Sequence, residues 1–326
     1  MTNDPTQLRK LQEIFLPYYT ERRKLLFGND FEKPLARFVH YTSADTAIKI
    51  IRTKRLWMRN ALCMADYREV KHGHAILSSF FKDPLKGGRF CTAIDGCIPG
   101  GAQQILNQFD QATNLITSGT YITSLSEHDD TENDIGRLSM WRAFGSDARV
   151  ALVFDIPAIS KGSVALNLMF SPVCYLPEAD VHASLMQAVG NIDKERSFLQ
   201  SLGQQTVVVY AHTLLLAAVT CLKHPGFHEE REWRAIHLPN LNASKIMDSS
   251  LETVAGVPQL VYKIPLDAKR DPVLSDLDLS RLLTQVVVGP TDYGPAVGAS
   301  FVAELSQLGV PNADKRVVLS DIPLRA

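Results

Sequence analysis

The stretch that decides the fold is Gly119–Ser126 (GTYITSLS), in which residues that favour β-strands follow one another. Ser124 and Ser126 share one face of this predicted strand, because side chains in a strand alternate between two faces. Two hydroxyls on one face can position a carboxylate or a ligand hydroxyl, and a solvated strand face is the alternative interpretation. The acidic segment 127–136 follows as a predicted loop.

Strand-like and helical segments recur on both sides of this stretch. Strands are predicted at 36–41 (ARFVHY), 56–59 (LWMR), 149–155 (RVALVFD), 164–175, 232–237 (EWRAIH), 259–264 (QLVYKI), 284–288 (TQVVV) and 315–319 (KRVVL). Helices are predicted at 5–26, 44–54, 69–82, 101–117, 138–144, 178–222 and 295–308, and turns at 83–101. The strict alternation of strands and helices of a doubly wound sheet is missing. The order predicts an α+β fold with two small packed β-sheets and flanking helices.

The predicted organisation is an N-terminal helix in residues 1–30 and a single α+β domain in 31–326, with a helical insertion at about 178–222. The chain has 326 residues, of which 45% are apolar, so a full core can form. The most apolar run, 206–222, contains Tyr210 and His212 and predicts a buried core helix rather than a membrane span.

Charge and cysteine content restrict the class of protein. The 34 basic and 35 acidic residues give a net charge of -1, which argues against a general binder of nucleic acids or membrane surfaces. The five cysteines form no C-x-x-C pair, and the first ten residues lack the apolar core of a secretion signal. We therefore expect a protein of the reducing cytoplasm.

His40 and Tyr41 lie at the end of the predicted strand 36–41. A neutral imidazole and a phenol at such a place can bind a ribose hydroxyl and stack on a flat ring. The alternative interpretation is a structural histidine beside a core tyrosine.

Glu230 and Glu232 are two residues apart at a predicted junction between a turn and a strand. Both carboxylates can face one cleft, where each raises the pKa of the other and the two can divide acid–base work. The alternative is a solvated charge cluster in which these carboxylates pair with Arg231 and Arg234.

A metal site is a third possibility, in Asp66, Glu69, His72 and His74 or in the H-x3-H pair His224 and His228. Pro225-Gly226 interrupts the second pair, so its two imidazoles do not share a helix face. The sequence contains no dinucleotide-binding glycine motif, Walker A motif, nucleophile elbow or H-E-x-x-H motif. Our prediction therefore includes no metal.

An ordered set of short motifs resembles a large bacterial family known only as domain of unknown function 2971. The resemblance spans roughly residues 36–324 and rests on Phe38–Tyr41, Leu56-Trp57, Asp66–Glu69, Ser124–Glu127, Met140-Trp141, Phe154-Asp155, Glu230–Arg234, Val288–Pro290 and Ser320–Pro323.

The order of a histidine, an S-x-S motif and an E-x-E motif, each on a predicted strand, also resembles the NAD-binding core of ADP-ribosyltransferases. The resemblance implies that His40 contacts a ribose of NAD, that Ser124 and Ser126 support the site, and that Glu232 stabilises an oxocarbenium-like transition state. It also implies that Glu230 activates the acceptor.

The same resemblance makes the aromatic side chains of Tyr41, Trp57 and Trp141 candidates to stack on the nicotinamide. The combination of His40 with Ser124 mixes two subclasses of these enzymes.

The resulting hypothesis is an NAD-dependent, ADP-ribosyltransferase-like enzyme. It would use NAD as a substrate and pass ADP-ribose to an unknown macromolecular or small-molecule acceptor, or to water. Two alternatives stay open. One is a non-catalytic nucleotide- or protein-binding module on the same fold, and the other is a metal-dependent hydrolase or nuclease.

Overall fold

The structure is a computed structural model that describes residues 4–28, 35–64, 67–143, 148–158, 160–254 and 256–324. The chain divides into two units. The helical unit comprises Met1–Leu26, Ala61–Thr120 and Ser171–His228. The sheet unit comprises Phe27–Asn60, Tyr121–Phe170 and Glu229–Ala326.

The secondary structure mixes helices and strands throughout the chain. The helices are α1 (Pro5–Phe15), α2 (Pro17–Phe27), α3 (Ala44–Thr53), α4 (Tyr67–Lys82), α5 (Pro84–Cys97), α6 (Gly101–Gly119), α7 (Leu138–Ala143), α8 (Lys161–Ala165), α9 (Glu178–Lys194), α10 (Arg196–Leu202), α11 (Gln204–Thr220), α12 (Leu279–Leu282) and α13 (Gly294–Gln307). The strands are β1 (Leu35–Ser43), β2 (Arg55–Asn60), β3 (Tyr121–Glu127), β4 (Arg149–Pro157), β5 (Met169–Pro172), β6 (Glu232–His237), β7 (Asp248–Val254), β8 (Val257–Pro265), β9 (Leu283–Val288) and β10 (Val317–Leu319). Short 3-10 turns lie at Ala61–Cys63, Asp130–Glu132, Pro225–Glu230, Pro272–Leu277 and Ala313–Arg316.

The strands join into one hydrogen-bonded sheet in the order β10-β9-β4-β1-β3-β2-β8-β7. Strand β6 pairs with β3 and with β5 outside this path. Most neighbours are antiparallel, and β10 runs parallel to β9. The predicted α+β class is confirmed. The expectation of two small packed sheets is wrong in one respect, because the strands belong to a single ten-stranded sheet.

Helix α5 corrects the prediction of turns at 83–101. The carboxylate of Asp83 accepts hydrogen bonds from the backbone amides of Leu85 and Lys86, and Pro84 occupies the first helical position. Both features favour the start of a helix. Phe90, among others, then packs its side chain into the core, which outweighs the low helix propensity of the glycines.

Other segments also differ in detail from their predictions. The N-terminal segment forms two helices, which separate at Leu16 before Pro17. The segment 178–222 forms α9, α10 and α11 within the helical unit. Strand β7, whose burial alternates along its length, had no strand prediction.

In the described ranges, no single helix is both long and apolar enough to cross a membrane. Only α10 and α11 together reach that length and composition, and the chain bends by 115° between them.

Candidate functional site

The sheet forks along one edge of β3. Strand β1 pairs with the end of β3 at Ser126 and Glu127, and β2 pairs with its start at Tyr121 and Ile122. Strand β6 pairs with the other edge of β3 over most of its length. Residues 123–125 therefore face the gap in which β1 and β2 diverge. We call this gap the fork.

Each branch is hydrogen-bonded to β3 through one side chain within the fork. The His40 Nδ1 of β1 lies 3.0 Å from the Ser124 carbonyl oxygen, and the Thr123 hydroxyl donates to the Trp57 carbonyl oxygen of β2 at 2.5 Å. A carbonyl can only accept, so Nδ1 of His40 carries a proton. Burial lowers the pKa of His40, so the ring is neutral at pH 7 and its Nε2 can accept a hydrogen bond.

Ser124 links this histidine to the second glutamate of the E-x-E motif. Its half-buried hydroxyl donates to Glu232 Oε1 at 2.5 Å. The register between β3 and β6 pairs Ser124 with Arg234 and Ser126 with Glu232, so these four side chains share one face of the sheet. The structure thus brings His40, Ser124 and Glu232 together in one hydrogen-bonded chain.

Glu232 forms an ion pair with Arg234 on the same strand. The Nε of Arg234 donates to Oε1 at 2.8 Å, and its Nη2 donates to Oε2 at 3.2 Å. The exposed fraction is 4% for Glu232 and 0% for Arg234. Glu232 is therefore a buried, oriented carboxylate and not part of a solvated charge cluster.

A network of arginines holds the segment that leads into Glu232. Arg137 donates to the carbonyl oxygens of Glu229 and Glu230 at 3.0 and 3.1 Å, and to both carboxylate oxygens of Glu132. Arg231 also donates to Glu132, so one buried carboxylate serves two guanidinium groups. This network fixes the backbone of the E-x-E motif at its N-terminal side.

Arg231 reaches the acidic loop because its backbone lies in the left-handed region, with φ of 45°. Its guanidinium pairs with Asp129 as well as with Glu132, and the pairing lowers the pKa of Asp129. Sequence reasoning missed the role of Arg137 and of Glu132. The signal available was the position of Arg137 directly after the acidic segment 127–136.

Tyr41 and Trp141 do not lie open in the fork. Their exposed fractions are 3% and 0%, and their ring centroids are 4.8 Å apart within a core cluster that includes Val39 and Val153. The Tyr41 hydroxyl accepts from the backbone amide of Arg137 at 2.9 Å. Burial raises the pKa of Tyr41 to about 12. Both rings therefore serve the core.

The remaining predicted ligand-binding residues differ in accessibility. Trp57 is half-buried in β2, and the Lys263 ammonium lies 4.9 Å from its ring centroid. Ser126 is buried beside Glu232. Glu230 is half-buried at the end of the Pro225–Glu230 turn.

The candidate metal ligands that the structure describes form no metal site. Among the described residues, no group of three or more His, Cys, Asp or Glu side chains is arranged to hold a metal ion. Asp66 and the side chain of Glu69 lie outside the described residues. The His224 imidazole accepts from the Gly226 amide at 3.1 Å, and Nδ1 of His228 lies 3.0 Å from the Pro225 carbonyl oxygen. Both contacts are local to one turn.

Comparison with known proteins gives one match. A family model described as "Protein of unknown function (DUF2971)" matches residues 140–235. The matched segment contains Trp141, Glu230, Glu232 and Arg234 and supports the resemblance to that family, but it does not reach His40 or Ser124. No curated protein and no solved structure matches this chain.

Proposed function

We propose that the fork is the active site of an NAD-dependent enzyme with an ADP-ribosyltransferase-like core. The enzyme would transfer ADP-ribose to an acceptor on a macromolecule or small molecule, or to water. The observation that carries this proposal is the chain of contacts from the His40 imidazole through Ser124 to the Glu232 carboxylate. Three segments far apart in sequence supply these groups.

The neutral imidazole of His40 suits a ribose of NAD. Its Nδ1 is held by the Ser124 carbonyl oxygen, so Nε2 can accept a hydrogen bond from a ribose hydroxyl. The ring stays uncharged at pH 7 because burial lowers its pKa. A neutral acceptor binds a hydroxyl without placing a second positive charge beside the cationic nicotinamide ring.

Glu232 supplies the negative charge in this proposal. In the reaction, the bond between the nicotinamide nitrogen and the ribose carbon breaks, and its electron pair leaves with neutral nicotinamide. Positive charge develops on the sugar, and a preorganised carboxylate stabilises it at no cost in reorganisation. Arg234 and Ser124 already orient the Glu232 carboxylate.

The acceptor then bonds to the same ribose carbon through an oxygen or nitrogen atom and loses a proton. Glu230 is assigned to that proton, because it precedes Glu232 by two residues and its backbone is held by Arg137. Trp57 is the half-buried aromatic residue beside the fork that can stack on a flat ring.

The test is release of nicotinamide from labelled NAD, with and without cell lysate as a source of acceptors. The Glu232→Gln variant should still fold, with a lower free energy of unfolding, because an amide oxygen can accept from Ser124 and Arg234 while the buried guanidinium loses its counter-charge. It should lose nicotinamide release by about a hundredfold or more, in line with the loss of one preorganised electrostatic group. Glu229→Gln is the matched control, since Glu229 is an exposed neighbour that carries the same charge.

Equal turnover of NAD by Glu232→Gln and by the unmodified protein would rule out this proposal. A second candidate is a nucleotide-binding module without catalysis, which the burial of the Glu232–Arg234 ion pair favours. Saturable NAD binding with no nicotinamide release, in lysate as in buffer, would select that alternative.

A further inference from the structure

The helical unit contains a pocket that has no part in the site at the fork. Its cavity volume is about 70 Å³, several times the space that one buried water molecule needs. The junction of α1 and α2 forms one wall, the chain around Cys174 a second, and helices α9 and α11 the others.

The lining of the pocket is almost entirely apolar. Leucine side chains come from several walls, including Leu16, Leu185 and Leu214. None of the described residues that line it carries a charged side chain. Two of its hydroxyl groups are engaged within the protein, because Tyr18 donates to the Val173 carbonyl oxygen at 3.4 Å and Ser171 donates to the Pro172 carbonyl oxygen at 3.3 Å.

We propose that this pocket binds the uncharged aliphatic chain of a small molecule. An ionic group inside the pocket would lose hydration without contacting a charged side chain of the lining, so an uncharged chain is favoured. An aliphatic chain gains free energy with each methylene that leaves water. The Tyr18 and Ser171 hydroxyls already donate to backbone carbonyl oxygens, so they do not require a polar group on the ligand.

Two cysteine thiols line the pocket and can report its occupation. The backbone amide of Cys174 donates to the Cys221 carbonyl oxygen at 2.7 Å, so the two residues are neighbours where their walls meet. Burial raises the pKa of the Cys174 thiol, so alkylation is slow at neutral pH and is best followed at a higher pH. Cys63, which is half-buried and outside the lining, is an internal control.

The experiment is calorimetric titration of the full chain with straight-chain alcohols from 1-butanol to 1-decanol. We expect saturable binding to one site, with affinity rising roughly fourfold for each added methylene until the pocket is full. Saturating 1-octanol should slow alkylation of Cys174 and Cys221 by N-ethylmaleimide at least threefold, read by peptide mass spectrometry. The rate at Cys63 should not change.

Variants on α9 provide the matched comparison. Ser184 lines the pocket, and its neighbour Ala183 is exposed. Ser184→Leu should fill the pocket and weaken 1-octanol binding at least tenfold, whereas Ala183→Leu should bind as the unmodified chain does. If Ser184→Leu fails to fold, Ala217→Leu on α11 fills the same space. Absence of saturable binding along the whole alcohol series, or equal binding by a folded filling variant, would overturn the proposal.

Discussion

Replacing Arg234 by methionine should be among the most destabilising single changes in the sheet unit. Arg234 is 0% exposed and binds both carboxylate oxygens of Glu232, which is itself 4% exposed. Arg234→Met keeps most of the side-chain volume but leaves a buried carboxylate without its cation. Breaking a buried ion pair in this way costs about 3–5 kcal/mol. The single variant should therefore lose that amount of unfolding free energy.

A double-mutant cycle separates this pairing from simple loss of volume. The double variant Glu232→Leu with Arg234→Met removes both charges, and well-packed apolar replacements of a buried pair are often neutral or stabilising. It should be more stable than the sum of the two single changes predicts, by about 2 kcal/mol or more.

Urea denaturation followed by tryptophan fluorescence is the assay, because Trp57, Trp141 and Trp233 all lie in the sheet unit. Single changes of less than about 1 kcal/mol, adding without coupling, would show that the Glu232–Arg234 pair is exposed to solvent and would refute the reasoning.

Three further predictions use the same assay. His40→Gln should flatten the fall in the free energy of unfolding below about pH 6.5. The pKa of His40 is lowered in the folded protein, so protonation at low pH favours unfolding, by up to about 1.4 kcal/mol per pH unit. An unchanged slope would argue against this. Glu132→Gln should lower the free energy of unfolding by about 2–4 kcal/mol, and Asp130→Asn by less than about 1 kcal/mol. The reason is that the exposed fraction is 11% for the Glu132 side chain and 91% for that of Asp130. Equal losses would contradict the arginine network around Glu132. Gly136→Ala should cost more than Gly256→Ala by about 1–3 kcal/mol, because both have a positive φ (68° and 78°) but only at Gly136 would a Cβ lie 2.5 Å from a tryptophan ring. Similar urea-unfolding curves for the two variants would contradict that contact.

Local patterns predicted much of the strand content, and the physical reason is periodicity. RVALVFD became β4, and EWRAIH became β6 with the same bounds. The start of α5 has a sequence signal as well, because Asp83-Pro84 is typical of a helix N-terminus. The neighbouring glycines led to the prediction of turns instead. The pairing of Glu232 with Arg234 follows from alternation, because residues two apart on a strand share a face.

The fork and the loop network could not be predicted from local sequence. Which edge of β3 meets β1 and which part meets β2 depends on partners far apart in the chain. The left-handed backbone of Arg231 turns its side chain toward Glu132, and a non-glycine residue rarely adopts that conformation. The burial of individual side chains could not be predicted either. Tyr41 and Trp141 were therefore predicted to bind a ligand, although their rings pack in the core.

A crystal structure with a non-hydrolysable NAD analogue is the decisive experiment for the binding of NAD at the fork. We expect the ribose groups of the analogue to contact His40 and Ser124, and the carbon that bears the nicotinamide to lie next to the Glu232 carboxylate. An analogue bound elsewhere on the chain, or a fork that stays empty at a saturating concentration of the analogue, would show that NAD does not bind there.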